Sequence, residues 1–138
     1  MKFLICYDGS EQAIHALDFV IKLHQEIGAG SSEFHLAYVV EKSVNIADPV
    51  PDELLEVLQR EGNEILSNGA RSVRKQLEVP FVHLELGSPS QKLLELADKL
   101  QPDLVVLGIA KHHPSEKILG TVSTSFFNAR KYRVLVAP

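Results

Sequence analysis

The sequence predicts an α/β fold in which a mostly parallel sheet is covered by helices on both faces. Short apolar runs alternate with longer segments whose apolar residues recur every three or four positions, in the order βαβαβαβαβ. The connections are too long for hairpins, and the run "LVVL" at 104–107 is continuous, as in a parallel strand buried on both faces. With 138 residues, 45% of them hydrophobic, one domain spanning 1–138 is expected.

The first unit is a strand, a turn and a helix. "KFLICY" at 2–7 is a short apolar run, and "DGS" at 8–10 is a cluster of turn-forming residues. From residue 11 to 27 the apolar positions follow a helical period. Ser10 is the expected N-cap of this helix, and Gly28 is its expected C-terminal stop.

The second unit pairs a strand with a long helical pattern. "FHLAYVV" at 34–40 predicts the strand, and a polar loop with two prolines separates it from a helix over about 52–78. Gly62 and Gly69 lie inside that pattern, and each costs about 1 kcal/mol relative to alanine in a helix. Both are unfavourable residues within the one long helix that the pattern predicts.

The remaining elements follow from clear boundary residues. "FVHLEL" at 81–86 is the third strand, and in "GSPSQ" Ser88 can cap a helix, Pro89 fits its first position and Gln91 completes a capping box. The fourth strand is 104–107, a short helix is predicted over 121–130, and "RVLVA" at 133–137 is the last strand. No internal repeat, low-complexity run or linker is visible.

Composition argues against several classes of function. The net charge is −4, and Lys and Arg are scattered, so neither nucleic acid nor a membrane is expected as a partner. Cys6, the single cysteine, lies in an apolar run and reads as a small buried hydrophobe, which fits a reducing cytoplasm. No signal peptide or membrane span is expected. His112 and His113 favour a solvated loop over a metal site, because adjacent side chains diverge.

Two loops that follow strands carry the residues of a ligand site. Ligands of open α/β sheets bind beyond the carboxyl ends of strands, where the strand order reverses. After the first strand comes "DGS", and after the fourth comes "GIAKHHPSEKILGTVS" at 108–123, with glycines, hydroxyls and a helix start at Gly120 and Thr121. Such residues suit an anion cradle, although turns and caps use them too. No GxxxxGK[ST], GxGxxG or GxSxG motif is present.

At this point the sequence resembles the universal stress protein family, and the resemblance covers nearly the whole chain. The matching stretches, in order, are "FLICYDGSEQAIHAL", "LAYVVE", "GSPSQKLLELADKLQPDLVVLG" and "LGTVSTSFFNARKYRVLVAP". The resemblance implies an adenine nucleotide alpha hydrolase-like fold, with five parallel strands in the order 3-2-1-4-5. That order would place the loops after strands one and four side by side.

The resemblance also implies a nucleotide site. In ATP-binding members the fourth-strand loop reads G-x2-G-x9-G-[ST], and here Gly108, Gly120, Thr121 and Ser123 match it. Lys111 stands where the middle glycine would be, and the spacer after it is one residue shorter. By the resemblance, Asp8 would meet the ribose, and Val39 would meet the adenine through its backbone. Lys111 is expected to contact phosphate through its ammonium group, in place of a lost backbone donor.

Each of these residues also has a structural interpretation. Asp8 fits an ordinary turn, Thr121 and Ser123 fit helix caps, and Gly108 fits a strand exit. His24 and His83 are interpreted as surface or internally satisfied histidines.

Three functions from different classes follow. The first is a stress-type regulatory protein that binds ATP, with Mg²⁺, or a related adenine nucleotide, and that forms a homodimer through the last strand, 133–137. The second is a homodimeric interaction module of the same family whose loop, altered at Lys111, has lost the nucleotide. The third is an enzyme, with either slow ATP hydrolysis or adenylyl transfer as its reaction, for which the sequence marks no catalytic base.

Overall fold

The computed structural model describes residues 1–28, 30–41, 51–76, 78–108 and 121–137, with the Thr121 side chain left out. Five strands alternate with four helices, in the predicted order. The elements are β1 (Lys2–Cys6), α1 (Glu11–Ile27), β2 (Glu33–Glu41), α2 (Asp52–Arg74), β3 (Val79–Gly87), α3 (Pro89–Leu100), β4 (Leu104–Gly108), α4 (Thr121–Ala129) and β5 (Val134–Ala137).

The five strands form one parallel sheet in the order β3-β2-β1-β4-β5. This confirms the strand order that the family resemblance implied. The register pairs Cys6 of β1 with Ala37 of β2 on one side and with Leu107 of β4 on the other. Because β1 connects outward to β2 while β4 connects outward to β5, the switch point lies between β1 and β4.

The sheet separates two apolar cores. On one face, α1 and α2 pack through Leu17, Val20 and Leu66 against strand residues such as Ile5 and Val106. On the other face, residues of α3 and α4 pack against strand residues in a second cluster. The helices contribute Leu93, Leu96, Ala97 and Phe126, and the strands contribute Leu4, Ala37, Val105 and Leu107. The helices therefore cover both faces, as the continuous apolar strands predict.

Both expected ends of α1 are confirmed. The Ser10 hydroxyl accepts a hydrogen bond from the Ala13 N–H at 3.2 Å, so it satisfies one of the amides left without a partner in the first turn. Gly28 ends the helix in the left-handed conformation, with φ of 61°. The Ser10 cap fixes the start of α1 directly after the β1 turn, and Gly28 fixes its end.

The long helix α2 is uninterrupted from Asp52 to Arg74, which confirms the helix predicted across both glycines. A Cβ at Gly62 would lie 2.8 Å from Leu84 and 2.9 Å from Tyr38. A Cβ at Gly69 would lie 2.9 Å from Tyr7. The glycines let the helix approach the sheet closely, and burial outweighs their poor helix propensity.

The capping box predicted for α3 is also wrong. Pro89 occupies the first turn, but the Ser88 side chain makes no capping hydrogen bond, and Gln91 donates to the Glu95 carboxylate at 3.1 Å instead. A proline supplies no N–H at that position, which reduces what a cap must satisfy.

Several predicted element boundaries move by a few residues. β1 ends at Cys6 and not at residue 7, and β5 begins at Val134 and not at residue 133. α2 ends at Arg74, four residues before the predicted end, and α4 ends at Ala129. β2 and β3 are longer than predicted.

Candidate functional site

Asp8 lies in the turn between β1 and α1. The side chain is exposed, and its Oδ1 accepts a hydrogen bond from the Ser10 N–H at 2.9 Å. The turn interpretation of Asp8 is therefore correct as far as it goes. A carboxylate has acceptor positions for about four hydrogen bonds, so one internal bond leaves it able to accept from a ligand hydroxyl.

The turn that carries Asp8 rests on α2. Gly9 has φ of 76°, a conformation that favours glycine, and a Cβ there would lie 3.0 Å from the Ile65 side chain. The half-buried Ile65 thus supports the turn from below. Sequence analysis missed this residue, because no periodicity relates the middle of one helix to a turn 56 positions earlier.

Val39 lies on β2 beyond the end of β1. The last bond between these strands runs from the Tyr7 N–H to the Ala37 carbonyl, at 2.8 Å. Alternate residues of a strand direct their N–H and C=O to the same side, so Val39 directs its backbone as Ala37 does. Its polar groups therefore face the β1 side of β2, past Cys6, at the carboxyl end of the sheet.

Gly108 is the last residue of β4 and lies against the start of α1. A Cβ at this position would be 2.9 Å from the Ala13 nitrogen and 2.9 Å from the Gln12 carbonyl carbon. Only glycine lets the strand end and the helix backbone come this close. Gly108 thus does more than allow the chain to leave the strand: it brings the end of β4 and the first turn of α1 together.

The rest of the predicted loop is only partly described. Thr121 begins α4, and Ser123, in its first turn, is 5% exposed. Lys111 and Gly120, together with the Thr121 side chain, lie outside the described residues. Of the predicted site residues, Asp8, Val39 and Gly108 lie at the carboxyl ends of the adjacent strands β1, β2 and β4.

Burial, with a smaller contribution from the Asp8 charge, raises the pKa of two groups near the turn. Burial and, second, the Asp8 charge raise the pKa of the Cys6 thiol to about 12. Burial, Asp18 and Asp8, in that order, raise the pKa of the Tyr7 phenol. Cys6 is only partly covered from solvent, but its thiol remains protonated at neutral pH, which agrees with a packing role and not with a nucleophile.

His24 and His83 are bonded within the fold, whereas His112 and His113 lie outside the described residues. His24 is 3% exposed and contacts Glu78 at 2.8 Å and Ser32 at 3.2 Å, so it is internally satisfied, as predicted. His83 is half-buried and bonds to His35 on the neighbouring strand. In the part of the chain that the structure describes, no three His, Cys, Asp or Glu residues are grouped to hold a metal ion. None of the described helices is long and apolar enough to cross a membrane.

Comparison with known proteins decides the family. The model of the universal stress protein family matches residues 1–138. The chain belongs to the universal stress protein family. A universal stress protein of Methanocaldococcus jannaschii is 32% identical over 98% of this chain and 80% of its own length. Another, YxiE of Bacillus subtilis, is 29% identical over 88% of each chain.

Solved structures of the family share the fold. A universal stress protein from Burkholderia pseudomallei matches 99% of this chain and 95% of its own, with a TM-score of 0.77 at 20% identity. A family protein from Arabidopsis thaliana with AMP bound matches 99% of this chain and 90% of its own, with a TM-score of 0.74 at 14% identity. The universal stress protein from Archaeoglobus fulgidus in complex with dAMP matches 99% of this chain and 95% of its own, with a TM-score of 0.69 at 17% identity. The adenine nucleotide alpha hydrolase-like fold of this family member is thereby confirmed.

Proposed function

We propose that this universal stress protein binds an adenine nucleotide, ATP with Mg²⁺ or a related one, as a regulatory ligand at the carboxyl edge of β2, β1 and β4. The supporting observation is that an exposed carboxylate, a strand backbone and a close-packed glycine lie at the ends of three adjacent strands. The AMP and dAMP complexes of the Arabidopsis and Archaeoglobus proteins add support.

Asp8 is the proposed ribose contact. The ribose of a nucleotide presents hydroxyl donors, and the carboxylate retains acceptor positions after its bond to Ser10. The turn is held at both ends, because Ser10 caps α1 and Ile65 supports Gly9. A fixed acceptor loses little freedom when ligand binds.

Val39 is the proposed adenine contact. Adenine presents an acceptor nitrogen beside an amino donor, which one N–H and one C=O of the same residue complement. The backbone of Val39 is directed past the end of β1, and its half-buried side chain packs on the core between the sheet and α3 and α4. A main-chain contact of this kind depends on the strand position and not on the side chain.

The phosphates are assigned to the fourth-strand loop and to α4. Gly108 lets the chain pass α1 closely, and the first-turn amides of α4, with Thr121 and Ser123, favour negative charge. Gly120 is proposed to let the backbone approach phosphate, and Lys111 to add a cation. The assignment rests on the family resemblance and on residue type.

The test is titration calorimetry of the nucleotide-free protein with AMP and with Mg·ATP. We expect saturable binding to one site, weakened at least tenfold in Asp8→Asn because a charge-assisted bond to ribose is lost. Asp18→Asn, which removes another exposed carboxylate on α1, serves as the control and leaves Kd unchanged. Equal affinity of the Asp8→Asn variant and the wild type would remove Asp8 from the site.

Lys111→Gly separates the nucleotide function from its alternative. If the lysine contacts phosphate, the variant loses affinity for Mg·ATP more than for AMP, because more phosphate charge faces the loop. If the wild type binds no nucleotide and the variant binds it, the lysine closes the site. The protein then acts as an interaction module, as the second hypothesis holds.

We also propose that the ligand is retained and not efficiently turned over, in a cytoplasmic homodimer. Bound ATP analysed by chromatography after hours with Mg²⁺ should remain mostly intact, and rapid release of ADP would contradict this. The dimer would pair β5, the last strand of the sheet order, with its counterpart in a second copy.

A further inference from the structure

Two histidines and a glutamate form a connected group on β2 and β3. The Nε2 atom of His35 lies 3.0 Å from a Glu33 carboxylate oxygen, and the Nδ1 atom of His35 lies 2.9 Å from the Nε2 atom of His83. His35 is only 5% exposed, and its ring stacks on Phe81 with a centroid distance of 4.6 Å. The group lies on the α3 side of the sheet, and its His35 stands on β2, four residues before the proposed nucleotide contact Val39.

The bond between the imidazoles limits how many protons the group can hold. One ring nitrogen must donate and the other must accept, which two neutral rings or one neutral and one charged ring can satisfy. A second added proton places two N–H groups against each other at a separation of 2.9 Å. The bond is then lost, and two positive charges remain in contact within a poorly hydrated site.

We propose that the His35–His83 pair is a proton-operated latch, which holds the edge strand β3 on β2 at neutral pH and releases it when both rings are charged. β3 has one strand neighbour in the described sheet, β2, so the pair joins the outermost strand to the rest. The exposed fractions of Val79 and Val82 are 54% and 52%, which shows how little covers this end of the strand. Release is therefore expected at β3 and not in the central strands.

The surrounding charges oppose full protonation only in part. Glu33 faces His35 from the same strand, Lys2 of β1 lies 3.9 Å from the Glu33 carboxylate, and the N-terminal amine is also near it. Glu85 on β3 favours the charged form of His83, whereas Lys99 of α3 disfavours it. Positive and negative groups lie on both sides of the pair. The contact between the two imidazoles therefore decides whether both rings can be charged while the bond between them is kept.

The direction of the pH effect follows from His83. Burial, and then the neighbouring His35, lower the pKa of His83 below its usual value of 6.5. The unfolded chain therefore takes up this proton at a higher pH than the folded chain does. Stability is complete above about 6.5, falls as the pH drops below that value, and levels off below the folded pKa. The bond from His35 lowers the pKa of Glu33, so its contribution is lost at still lower pH.

The first test is an NMR titration of the imidazole nitrogens of the wild-type protein from pH 8 to 4.5. We expect His83 to titrate below 6.5, with a simultaneous change at His35 as the shared bond breaks. Replacement of His35 by Gln should move the His83 midpoint upward, because a charged neighbour is removed. Independent titration of both rings near 6.5 would overturn the proposal.

The second test is hydrogen exchange followed by mass spectrometry at pH 7.5 and 5.5, corrected for intrinsic rates. We expect the peptide covering Val79–Gly87 to lose protection at least tenfold at pH 5.5, while Lys2–Cys6 and Leu104–Gly108 keep theirs. In His83→Gln the amide group can still hydrogen-bond to the Nδ1 atom of His35 but cannot be protonated, so the loss should disappear. The exposed His15→Gln is the matched control and should behave as wild type.

Two results would contradict the latch. One is a loss of protection shared by all strands, since that reports global unfolding. The other is a loss of protection at β3 that persists in His83→Gln, since a group other than His83 would then cause the pH dependence. The wild-type titration decides the protonation step even if a variant folds poorly.

Discussion

Single contacts of a few atoms position the turn that presents Asp8. Gly9, in its left-handed conformation, lies against Ile65, while the Asp8 carboxylate accepts from Ser10. Neither contact requires a ligand. The chain therefore fixes the carboxylate before binding, and the fixed geometry depends on a residue that itself touches no proposed ligand atom.

Ile65→Ala should weaken nucleotide binding through Asp8. Removing the support lets the turn move, which we expect to raise Kd roughly fivefold, or about 1 kcal/mol. Calorimetry on Ile65→Ala, Asp8→Asn and the double variant gives the coupling. If Ile65 acts through Asp8, its truncation costs little in the Asp8→Asn background. Additive effects would mean that Ile65 is a general packing residue and does not position Asp8.

Sequence reasoning at this scale succeeds where a residue acts on its neighbours along the chain. Ser10 and Gly28 were predicted correctly because a cap serves the adjacent helix. Ser88 failed, because a serine before Pro89 can cap but need not. Ile65 could not be found, since its role depends on how closely α2 approaches the sheet.

At the scale of elements, α2 shows how tertiary packing overrides helix propensity. Gly62 and Gly69 are seven residues apart, so they lie on one face of the helix, and this face contacts β2, β3 and the Tyr7 ring. The seven-residue spacing was visible in the sequence. Interpreted as a close-packing surface, it supports the continuous helix that the apolar pattern predicts.

Gly69→Ala is expected to destabilise the protein although alanine is the better helix former. The new methyl group would lie 2.9 Å from Tyr7 and 3.0 Å from Leu36, which requires a shift of helix or sheet and costs about 1–3 kcal/mol. Urea unfolding should show a lower midpoint. Ser67→Ala, at an exposed position of the same helix, is the control and should be neutral or slightly stabilising. A gain in stability for Gly69→Ala would show that the packing is loose.

For the whole molecule, the parallel sheet and its covering helices could be predicted from the sequence, because the periodicity of apolar residues indicates both. The order 3-2-1-4-5 could not, since helix and strand patterns do not state which strands are neighbours; it came from the family resemblance and is confirmed by the pairing. The sequence also predicted where the candidate site lies, at the ends of β1 and β4. The close approach of Gly108 to α1 could not be predicted, because it depends on how closely the helix packs against the end of the strand.

The proposed dimer gives a prediction at this scale. Arg133 accepts from the Val105 N–H at 2.9 Å, so Val134 and Val136, by alternation, direct their backbone groups away from β4. Val136→Pro removes an outward N–H and should convert the dimer to a monomer in sedimentation analysis, with the fold retained. Leu135→Pro removes an inward N–H and should unfold the edge. A monomeric wild type, or a dimeric Val136→Pro variant, would contradict pairing through β5.

The sheet that divides the two cores also affects how the sequence can change over generations. Leu66 and Leu96 belong to clusters on opposite faces, separated by a layer of backbone. A change of volume on one face is most easily offset by neighbours on that same face, so we expect compensating substitutions to occur within one half. The stress-protein fold can thus drift in one half while the other stays the same.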